Sequence, residues 1–361
     1  MHHPNGRVVP ALPVTPGSTL AVVANPMSGR DIRRLVAQAS VFPNAEKTNM
    51  VVRLLGAAGA VGVERALVST DAMGVAAGVL RARRKIGAHR WPEPEFVEAP
   101  ITGTADDTRE QVRLMRERGA SVVVLLGGDG TVRAATATSG DVPLLPLSTG
   151  TNNAFPEMWE ATVAGTAAGL LATGQVDTAS TTYRAKALHV TAGDAHEIAL
   201  VDVCVSTVPH VGSKALWQPS TLRELYCAFA EPHAVGLSSV AGQLRPTPRT
   251  APSGVVVHLT ETAVATRTVF APIAPGVVAP IGVRETSELV TGVPQVVALE
   301  RGTLAVDGER EIELGPATPV TVTLAHDGPR VLDVPAVMAA AARQQLLVTQ
   351  AQEITGGNVM S

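Results

Sequence analysis

The sequence predicts two domains: an N-terminal α/β domain built on a parallel sheet, followed by a second domain made mostly of β-strands. The chain has 361 residues, whereas a single domain usually holds roughly 100 to 200 residues. Short aliphatic runs alternate with helical patterns as far as Gly174, and β-branched segments joined by turn residues follow it. Apolar residues make up 45% of the chain and charged residues 17%, which favours well-buried sheets.

The first domain is predicted over residues 19–178, after a mobile tail at residues 1–18. Its strands and helices are predicted, in order, at LAVVA, SGRDIRRLVAQAS, RALVS, DAMGVAAGVLRARR, EFVEA, DDTREQVRLMRERG, SVVVLLGG, TVRAATATS, VPLLPL and NNAFPEMWEATVAGTAAGLLA. Neighbouring parallel strands need a long crossover, usually a helix, so this alternation predicts βαβ units. Val122–Leu126 is apolar without alternation, as in a strand that is covered on both faces.

The second domain is predicted over residues 179–332, with a C-terminal helix and tail at residues 333–361. Its predicted strands are YRAKALHVTAG, HEIALVDVCVS, GVVVHLTETA, TRTVFAPIAPG, GTLAVDGEREIEL and PVTVTLAHDG. Asp307-Gly308 and Asp327-Gly328 are predicted turns. The stretch SKALWQPSTLRELYCAFAEP is predicted to be a helical insertion, and PAVMAAAARQQLLVTQAQ is predicted to be the closing helix.

The composition argues against several classes of partner. Aromatic residues make up only 3% of the chain and the net charge is −3, which disfavours nucleic-acid binding. Cys204 and Cys227 lack metal-ligand spacing, and the predicted location is the cytoplasm. The longest uncharged apolar stretch, Val269–Val283, is broken by prolines, and residues 1–18 lack a signal-peptide pattern. We therefore expect a soluble protein with neither a nucleic-acid nor a membrane partner.

A glycine-rich loop, Gly127-Gly128-Asp129-Gly130-Thr131, directly follows a predicted buried strand and precedes a predicted helix. Glycines there let backbone N–H groups approach a ligand, and the start of a helix favours anions such as phosphate. Asp129 would repel a bare phosphate unless it bound Mg²⁺ or accepted a proton from an attacking hydroxyl group. The alternative is a tight turn in which Asp129 only caps the helix.

Two further predicted strands end in loops of the same kind. The first strand is followed by NPMSGR, which contains Asn25, Ser28 and Gly29. The strand after GGDGT is followed by hydroxyl and amide side chains, at Ser148, Thr149, Gly150, Thr151, Asn152 and Asn153. Strand ends can be neighbours in a doubly wound sheet, so these loops can share one ligand. Each loop alone fits a helix cap equally well, whereas the three together predict a nucleotide site.

The sequence lacks the GxGxxG, GxxxxGK[ST] and GxSxG motifs, which argues against a dinucleotide-binding Rossmann domain, a P-loop protein and a serine hydrolase. GGDGT after a strand, with NPMSG upstream and VDGE at residues 306–309, instead resembles the superfamily of NAD kinases, diacylglycerol kinases and sphingosine kinases. The segments PLSTGTNNAFPEMWEATVAG and ALVDVCVS resemble its ATP-NAD kinase-like branch, which includes acetoin catabolism protein X. This resemblance implies an α/β domain followed by a β-sandwich domain.

The resemblance also implies roles for the residues of the first two loops. Asp129 takes the place of the family aspartate that acts as base or metal partner. The nucleotide-phosphate loop corresponds to the other residues of the motif, Gly127, Gly128, Gly130 and Thr131. Asn25, Ser28 and Gly29 are similar to the lipid-kinase loop that contacts the phosphates of ATP.

The remaining implied roles concern the acceptor side of the site. Gly150, Thr151 and Asn153 resemble the Gly-Thr-x-Asn element of lipid kinases. Asp202 falls where NAD kinases have the acidic member of a pair that holds the ribose of the acceptor. Val201 replaces the asparagine of that pair, and a valine side chain cannot form hydrogen bonds.

The leading hypothesis is a Mg²⁺-dependent, NAD kinase-like phosphotransferase that moves a phosphoryl group from ATP or another donor to a ribose hydroxyl group of NAD or a related nucleotide. The replacement at Val201 leaves open a nucleotide-binding accessory or regulatory protein without catalysis. A lipid kinase of the diacylglycerol type is the third alternative. The family resemblance further implies a homo-oligomer.

Overall fold

The structure is a computed structural model that describes residues 12–29, 42–85, 91–150, 153–209, 219–316 and 319–348. Its strands are β1 (Thr15–Ala24), β2 (Val63–Ser69), β3 (Glu93–Val97), β4 (Val122–Gly127), β5 (Leu144–Ser148), β6 (Thr182–Arg184), β7 (Ala187–Ala192), β8 (Ala195–Ala199), β9 (Asp202–Ser206), β10 (Leu222–Cys227), β11 (Gly254–Thr260), β12 (Arg267–Ala274), β13 (Val277–Leu289), β14 (Gln295–Val296), β15 (Gly302–Val306), β16 (Glu309–Leu314), β17 (Val320–Ala325) and β18 (Arg330–Leu332). Its helices are α1 (Asn44–Ala60), α2 (Val75–Lys85), α3 (Ala105–Glu117), α4 (Asp129–Ser139), α5 (Ala161–Ala172), α6 (Thr178–Thr181), α7 (Ser238–Leu244) and α8 (Val334–Arg343).

The first domain is built on a seven-stranded sheet in the order β3-β2-β1-β4-β5-β18-β6. Strands β1 to β5 run parallel, which confirms the predicted βαβ organisation. Every residue of β4 is buried, as its unbroken apolar sequence predicts. The strand order reverses beside β1: β2 and β3 lie on one side of β1, whereas β4 and β5 lie on the other side. Such a switch point creates a crevice at the carboxyl ends of the strands.

Two helices of the first domain approach each other closely because one of them carries glycines. A Cβ atom on Gly165 of α5 would lie 2.3 Å from the carbonyl oxygen of Leu54 in α1. A Cβ atom on Gly169 would lie 2.4 Å from the side chain of Val61, directly after α1. Larger residues at these positions would push the helices apart, so the glycines permit the tight packing of this face of the sheet.

The second domain consists of two antiparallel sheets, as the fold class predicts. The larger sheet has the order β12-β13-β11-β10-β9-β15-β16, and the smaller has the order β14-β17-β7-β8. Both sheets contribute to one buried apolar cluster, for example Val203 and Leu304 from the larger sheet and Leu188 and Val322 from the smaller. The shared core therefore holds the sheets together as a β-sandwich.

The chain crosses between the two domains twice. β6 and β18, which the sequence analysis placed in the second domain, pair antiparallel with each other and belong to the first sheet. β18 pairs parallel with β5 at Val331 and Leu144. The closing helix, confirmed over Val334–Arg343, follows β18 and packs against α5. The strands on either side of the second domain thus fix both of its connections to the first sheet.

The predicted helical insertion SKALWQPSTLRELYCAFAEP is wrong where the structure describes it, because Leu222–Cys227 forms strand β10. Leu225 pairs with Cys204 of β9 on one side and with Val257 of β11 on the other. Helix-forming residues such as Leu and Glu gave the segment a helical pattern, but pairing in the middle of a sheet overrides that preference. Residues 213–218 of the insertion lie outside the described residues.

Within the described ranges, no helix has both the length and the apolar character that are needed to cross a membrane.

Candidate functional site

Three loops meet at one edge of the first sheet, as the sequence predicts. β4 lies between β1 and β5, and all three strands run parallel, so the segments that follow them lie side by side. A cavity of about 560 Å³ lies at this edge. Residues 25–29 and 128–131 line it, together with Asn153 and with Asp307 and Glu309 of the second domain. A cavity of this size accommodates a nucleotide-sized ligand.

Side-chain hydrogen bonds join the loops to one another. Asn25 Nδ2 donates to Thr131 Oγ1 at 2.9 Å, which connects the loop after β1 to the first turn of α4. Ser28 Oγ and Thr149 Oγ1 lie 2.8 Å apart, which connects the same loop to the segment after β5. The predicted site residues of the three loops therefore form one connected structure.

The glycines of the loops differ in the space around them. A Cβ atom on Gly127 would lie 2.5 Å from the Thr131 side chain, and one on Gly128 would lie 2.7 Å from Asn153 Oδ1. Gly29 has a φ of +79°, and a Cβ atom there would lie 2.7 Å from the carbonyl oxygen of Thr149. A Cβ atom on Gly130 would meet nothing within 4 Å, so the first turn of α4 opens to the cavity.

Asp129 begins α4, and its carboxylate is held by the segment that follows β5. Phe155 N–H donates to Asp129 Oδ1 at 2.8 Å, and Ala154 N–H lies 3.1 and 3.2 Å from Oδ1 and Oδ2. The cap position of α4 is Gly128, so Asp129 does not fill the capping role of the alternative interpretation. Asp129 lines the large cavity and also a smaller one of about 30 Å³.

The Ser148 side chain forms hydrogen bonds within the loop that follows β5. Its hydroxyl group donates to the carbonyl oxygen of Gly150 at 2.8 Å and accepts from Asn153 Nδ2 at 2.9 Å. Ser148 is buried, and both hydrogen bonds stabilise the shape of the loop. Thr151 and Asn152, also predicted to bind nucleotide, lie outside the described residues.

Asp307 of the VDGE segment reaches the site from the second domain. Its Oδ1 accepts hydrogen bonds from the backbone N–H groups of Val201 at 2.8 Å and Leu200 at 3.0 Å. Its φ of 49° lies in the left-handed region, which aspartate tolerates better than most residues. Burial raises the pKa of Asp307 to about 7, and the negative charge of Asp129 adds to this shift.

Asp202, the predicted acceptor-binding residue, lines the small cavity together with Asp129 and Asp307. Only 5% of Asp202 and 2% of Val201 are exposed, so a ligand could reach them only through this narrow space. The backbone N–H of Val201 already donates to Asp307. Val201 therefore presents neither a polar side chain nor an unbonded N–H group to the small cavity.

Two family models match separate parts of the chain. Residues 22–176 match the model of the ATP-NAD kinase N-terminal domain, and residues 186–327 match that of the acetoin catabolism protein X C-terminal domain. The chain is 39% identical to acetoin catabolism protein X of Cupriavidus necator over 354 residues, which covers 96% of this chain and 97% of that protein. The chain belongs to the ATP-NAD kinase-like family, in its acetoin catabolism protein X branch. It is therefore a kinase-like protein.

A solved structure is also similar to this member of the ATP-NAD kinase-like family. It is a protein assigned as a diacylglycerol kinase from Bacillus anthracis str. Sterne, with a TM-score of 0.45 and 11% sequence identity. The likeness covers 88% of this chain and 98% of that chain.

Within the described part of the chain, no group of three or more His, Cys, Asp and Glu side chains is arranged to hold a metal ion. Mg²⁺ is commonly bound by one or two carboxylates together with the phosphates of a substrate. Asp129, which lines the nucleotide-sized cavity, suits that arrangement.

Lys47 was not predicted from the sequence, yet it is a buried residue that shapes the loop after β1. No part of Lys47 is exposed, and its Nζ atom donates to the carbonyl oxygens of Asn25 at 2.9 Å, Pro26 at 3.2 Å and Ser28 at 2.8 Å. A lysine early in a helix is usually expected at the surface, so no sequence signal marks this role.

Proposed function

We propose that this protein is a phosphotransferase of the NAD kinase type, which moves the terminal phosphoryl group of ATP to a hydroxyl group of NAD or a related nucleotide. The observation that carries the proposal is the meeting of three loops around one cavity of about 560 Å³, with Asp129 in its wall. A cradle of glycines, hydroxyl groups and a helix N-terminus suits polyphosphate.

The cavity has the features that phosphate oxygens require. The first turn of α4 opens at Gly130, where backbone N–H groups and the helix dipole favour negative charge. Lys47 lies beneath the loop after β1 and bonds to three of its carbonyl oxygens. With these carbonyl groups turned toward Lys47, the loop keeps its acceptors away from a bound anion, and the ammonium charge attracts phosphate.

The proposed transfer needs a group that accepts the proton of the acceptor hydroxyl group. The acceptor oxygen attacks the terminal phosphorus of ATP, the bond from that phosphorus to ADP breaks, and ADP leaves with its electron pair. The hydroxyl proton passes to the carboxylate of Asp129, which the N–H groups of Ala154 and Phe155 hold in place. Mg²⁺, when bound, would neutralise charge on the phosphates.

An assay with purified protein, ATP and Mg²⁺ tests the proposal against a panel of acceptors that includes NAD. We expect NADP formation, read by a coupled dehydrogenase, or labelled phosphate on a related nucleotide. Asp129→Asn should abolish turnover and leave ATP binding largely intact. Asp106→Asn, which changes an exposed aspartate on α3, is the matched control. Absence of turnover with every nucleotide acceptor would contradict a kinase of the NAD kinase type.

A second candidate, a nucleotide-binding accessory protein without catalysis, is favoured by one specific observation. Val201 can contribute no side-chain hydrogen bond to an acceptor, and its N–H group is taken by Asp307. Such a protein would keep the phosphate cradle and lack the ribose-binding pair. Calorimetry with ATP, NAD and NADP distinguishes the two: this candidate predicts binding with no product.

A further inference from the structure

One peptide group of the site is held at both of its polar atoms by charged side chains from different domains. The carbonyl oxygen of Ala154 accepts a hydrogen bond from Arg249 Nη2 at 2.6 Å. The N–H of the same peptide group, which belongs to Phe155, donates to Asp129 Oδ1 at 2.8 Å. Arg249 follows α7 in the second domain, whereas Asp129 begins α4 in the first. A single planar peptide group therefore links the two charged side chains.

The guanidinium group of Arg249 has little freedom to move. Its Nη1 atom donates to the carbonyl oxygen of Phe155 at 2.7 Å, and its Nε atom donates to Glu231 Oε1 at 3.1 Å. The ring of Phe229 lies 4.4 Å from the guanidinium carbon, measured to the ring centroid. Only 14% of the side chain is exposed. A planar fork that is bonded and stacked in this way presents its donors in a fixed direction.

The segment that carries Arg249 is itself anchored in the second domain. Thr247 and Ala230 exchange two backbone hydrogen bonds of 2.9 Å. Lys186 Nζ donates to the carbonyl oxygens of Pro248 at 3.3 Å and Ser253 at 2.8 Å. Hydrogen bonds thus hold the backbone on both sides of Arg249 in the second domain. The position of the guanidinium group therefore depends on the position of that domain.

Hydrogen bonds at opposite ends of a peptide group strengthen each other. A cation at the carbonyl oxygen draws electron density from the amide, which makes the N–H a better donor to a carboxylate. Bonds between charged and neutral groups are also shorter and stronger than bonds between two neutral groups. Arg249 therefore strengthens the bond that holds Asp129, and its fixed guanidinium group holds the peptide in one orientation.

We propose that Arg249 is a positioning residue, which fixes the orientation of the Asp129 carboxylate through the Ala154–Phe155 peptide. The proposal rests on the proposed function, in which Asp129 serves the phosphoryl transfer. It makes docking of the second domain a condition for a correctly oriented carboxylate. A residue that only packed the two domains together would have no such effect on Asp129.

Amide signals of protein labelled with [¹⁵N]phenylalanine test the link without any assay of activity. The chain has five phenylalanines, so the spectrum is simple. Asp129→Asn should move the Phe155 amide proton upfield and thereby identify it, because a neutral amide is a weaker acceptor. Arg249→Lys should move the same signal in the same direction, while Phe42, Phe96 and Phe270 stay in place.

Two further variants exclude a general effect of substitution. Arg245→Lys, which changes an arginine paired with the exposed Glu288, should leave the Phe155 signal unchanged. In the Asp129→Asn background, Arg249→Lys should move the Phe155 signal much less than in the wild-type chain. An equal movement in both backgrounds, or no movement in either, overturns the proposal. Should Arg249→Lys fail to fold, Glu231→Gln must give a smaller movement in the same direction for the proposal to stand.

Kinetics then test the consequence for the reaction. Arg249→Lys should lower kcat by about tenfold to a hundredfold and leave the KM for ATP little changed, since misplacing a reacting group acts on the transition state. A loss confined to KM overturns the positioning role. If the wild-type protein shows no turnover at all, the proposed function fails, whereas the amide signals still decide whether Arg249 acts on Asp129.

Discussion

The carboxyl group of Asp307 lies within the electrostatic reach of Asp129, although the two residues belong to different domains, and the charge of Asp129 helps to raise the pKa of Asp307 to about 7. Burial is the larger cause of the shift. Opposing it are the backbone N–H groups of Val201 and Leu200 and the guanidinium group of Arg133, whose Nε atom lies 4.0 Å from Asp307 Oδ2. The protonation of Asp307 therefore depends on how these opposing effects are balanced.

This relationship predicts how stability changes with pH. The folded protein holds the Asp307 proton more tightly than the unfolded chain, so its contribution is fully present below about pH 4 and is lost as the pH rises through about 7. Between these values the free energy of unfolding of the wild-type chain should fall, relative to that of Asp307→Asn, by about 1.4 kcal/mol per pH unit. Urea unfolding of both chains at several pH values measures the difference.

A variant of Asp129 tests whether its charge contributes to the raised pKa of Asp307. Asp129→Asn removes the charge that raises the pKa of Asp307, so the pH window should shift to lower values. A difference between wild type and Asp307→Asn that stays constant from pH 4 to pH 8 would show that Asp307 is not the titrating group.

Lys47 should matter for nucleotide binding as well as for stability. Lys47→Met keeps most of the side-chain volume but removes the donor to the carbonyl oxygens of Pro26 and Ser28, and each such loss costs about 1 to 3 kcal/mol. The loop would relax, and we expect the affinity for ATP to fall at least about tenfold. Calorimetry and thermal unfolding report the two effects separately.

A matched control for Lys47 lies in the second domain. Lys186 is also buried and also donates to two backbone carbonyl oxygens, those of Pro248 and Ser253. Lys186→Met should destabilise the fold in the same way and leave ATP affinity unchanged. Equal losses of affinity in both variants would mean that Lys47 acts only through global stability.

The glycines of the first turn of α4 permit a paired test. Gly128→Ala places a methyl group 2.7 Å from Asn153 Oδ1, so Asn153 must move, and both stability and ATP affinity should fall. Gly130→Ala meets nothing within 4 Å and should stabilise α4 by roughly 0.5 to 1 kcal/mol. The added methyl group would nevertheless project from the turn proposed to face phosphate, so ATP should bind more weakly.

The outcome for Gly130→Ala distinguishes a first turn of α4 that binds phosphate from one that has only a structural role. Thermal unfolding should show higher stability while calorimetry shows weaker binding. If affinity is unchanged or improved, the open space at Gly130 does not hold phosphate, and the ligand contacts of this cavity must lie elsewhere.

The sequence predicted the first domain and its three loops because the signals for them are local. An unbroken apolar run followed by GGDGT identifies both strand β4 and the start of α4. The strand at Leu222–Cys227 was missed because its place is set by pairing with β9 and β11, which the helical pattern of its own residues does not reveal. Local sequence therefore predicts a helix or strand well only where pairing with distant segments agrees with the secondary-structure preference of the residues themselves.

The residues that complete the site could not be predicted for a related reason. Arg249 is separated from Ala154 by 95 positions, and Asp307 is separated from Leu200 by 107 positions. Contacts over such distances depend on how the two domains dock, which no spacing of residues in the sequence encodes. VDGE marked Asp307 as part of the family resemblance, but only the fold shows that its carboxylate approaches Asp129.

Gln111 of α3 provides a last prediction, because its side chain is incompletely bonded beside the large cavity. Only 4% of the residue is exposed. Its Nε2 atom donates to Thr70 Oγ1 at 3.4 Å, and Thr70 Oγ1 in turn donates to the carbonyl oxygen of Val97 at 3.0 Å. This chain of donors fixes the amide orientation, and it leaves the buried Oε1 atom with no hydrogen-bond partner among the described residues.

A buried acceptor without a donor lowers stability, so Gln111→Met should raise the free energy of unfolding by up to about 1 kcal/mol. If a small side-chain shift lets Oε1 accept from a bound nucleotide, the same variant should lower ATP affinity. Gln175→Met is the control, since Gln175 Nε2 donates to the Val61 carbonyl oxygen at 3.0 Å and to Thr173 Oγ1 at 2.9 Å. That variant should lose stability and keep its affinity. Higher stability with unchanged ATP affinity in Gln111→Met would show that Gln111 Oε1 does not bind the ligand and only lowers the stability of the fold.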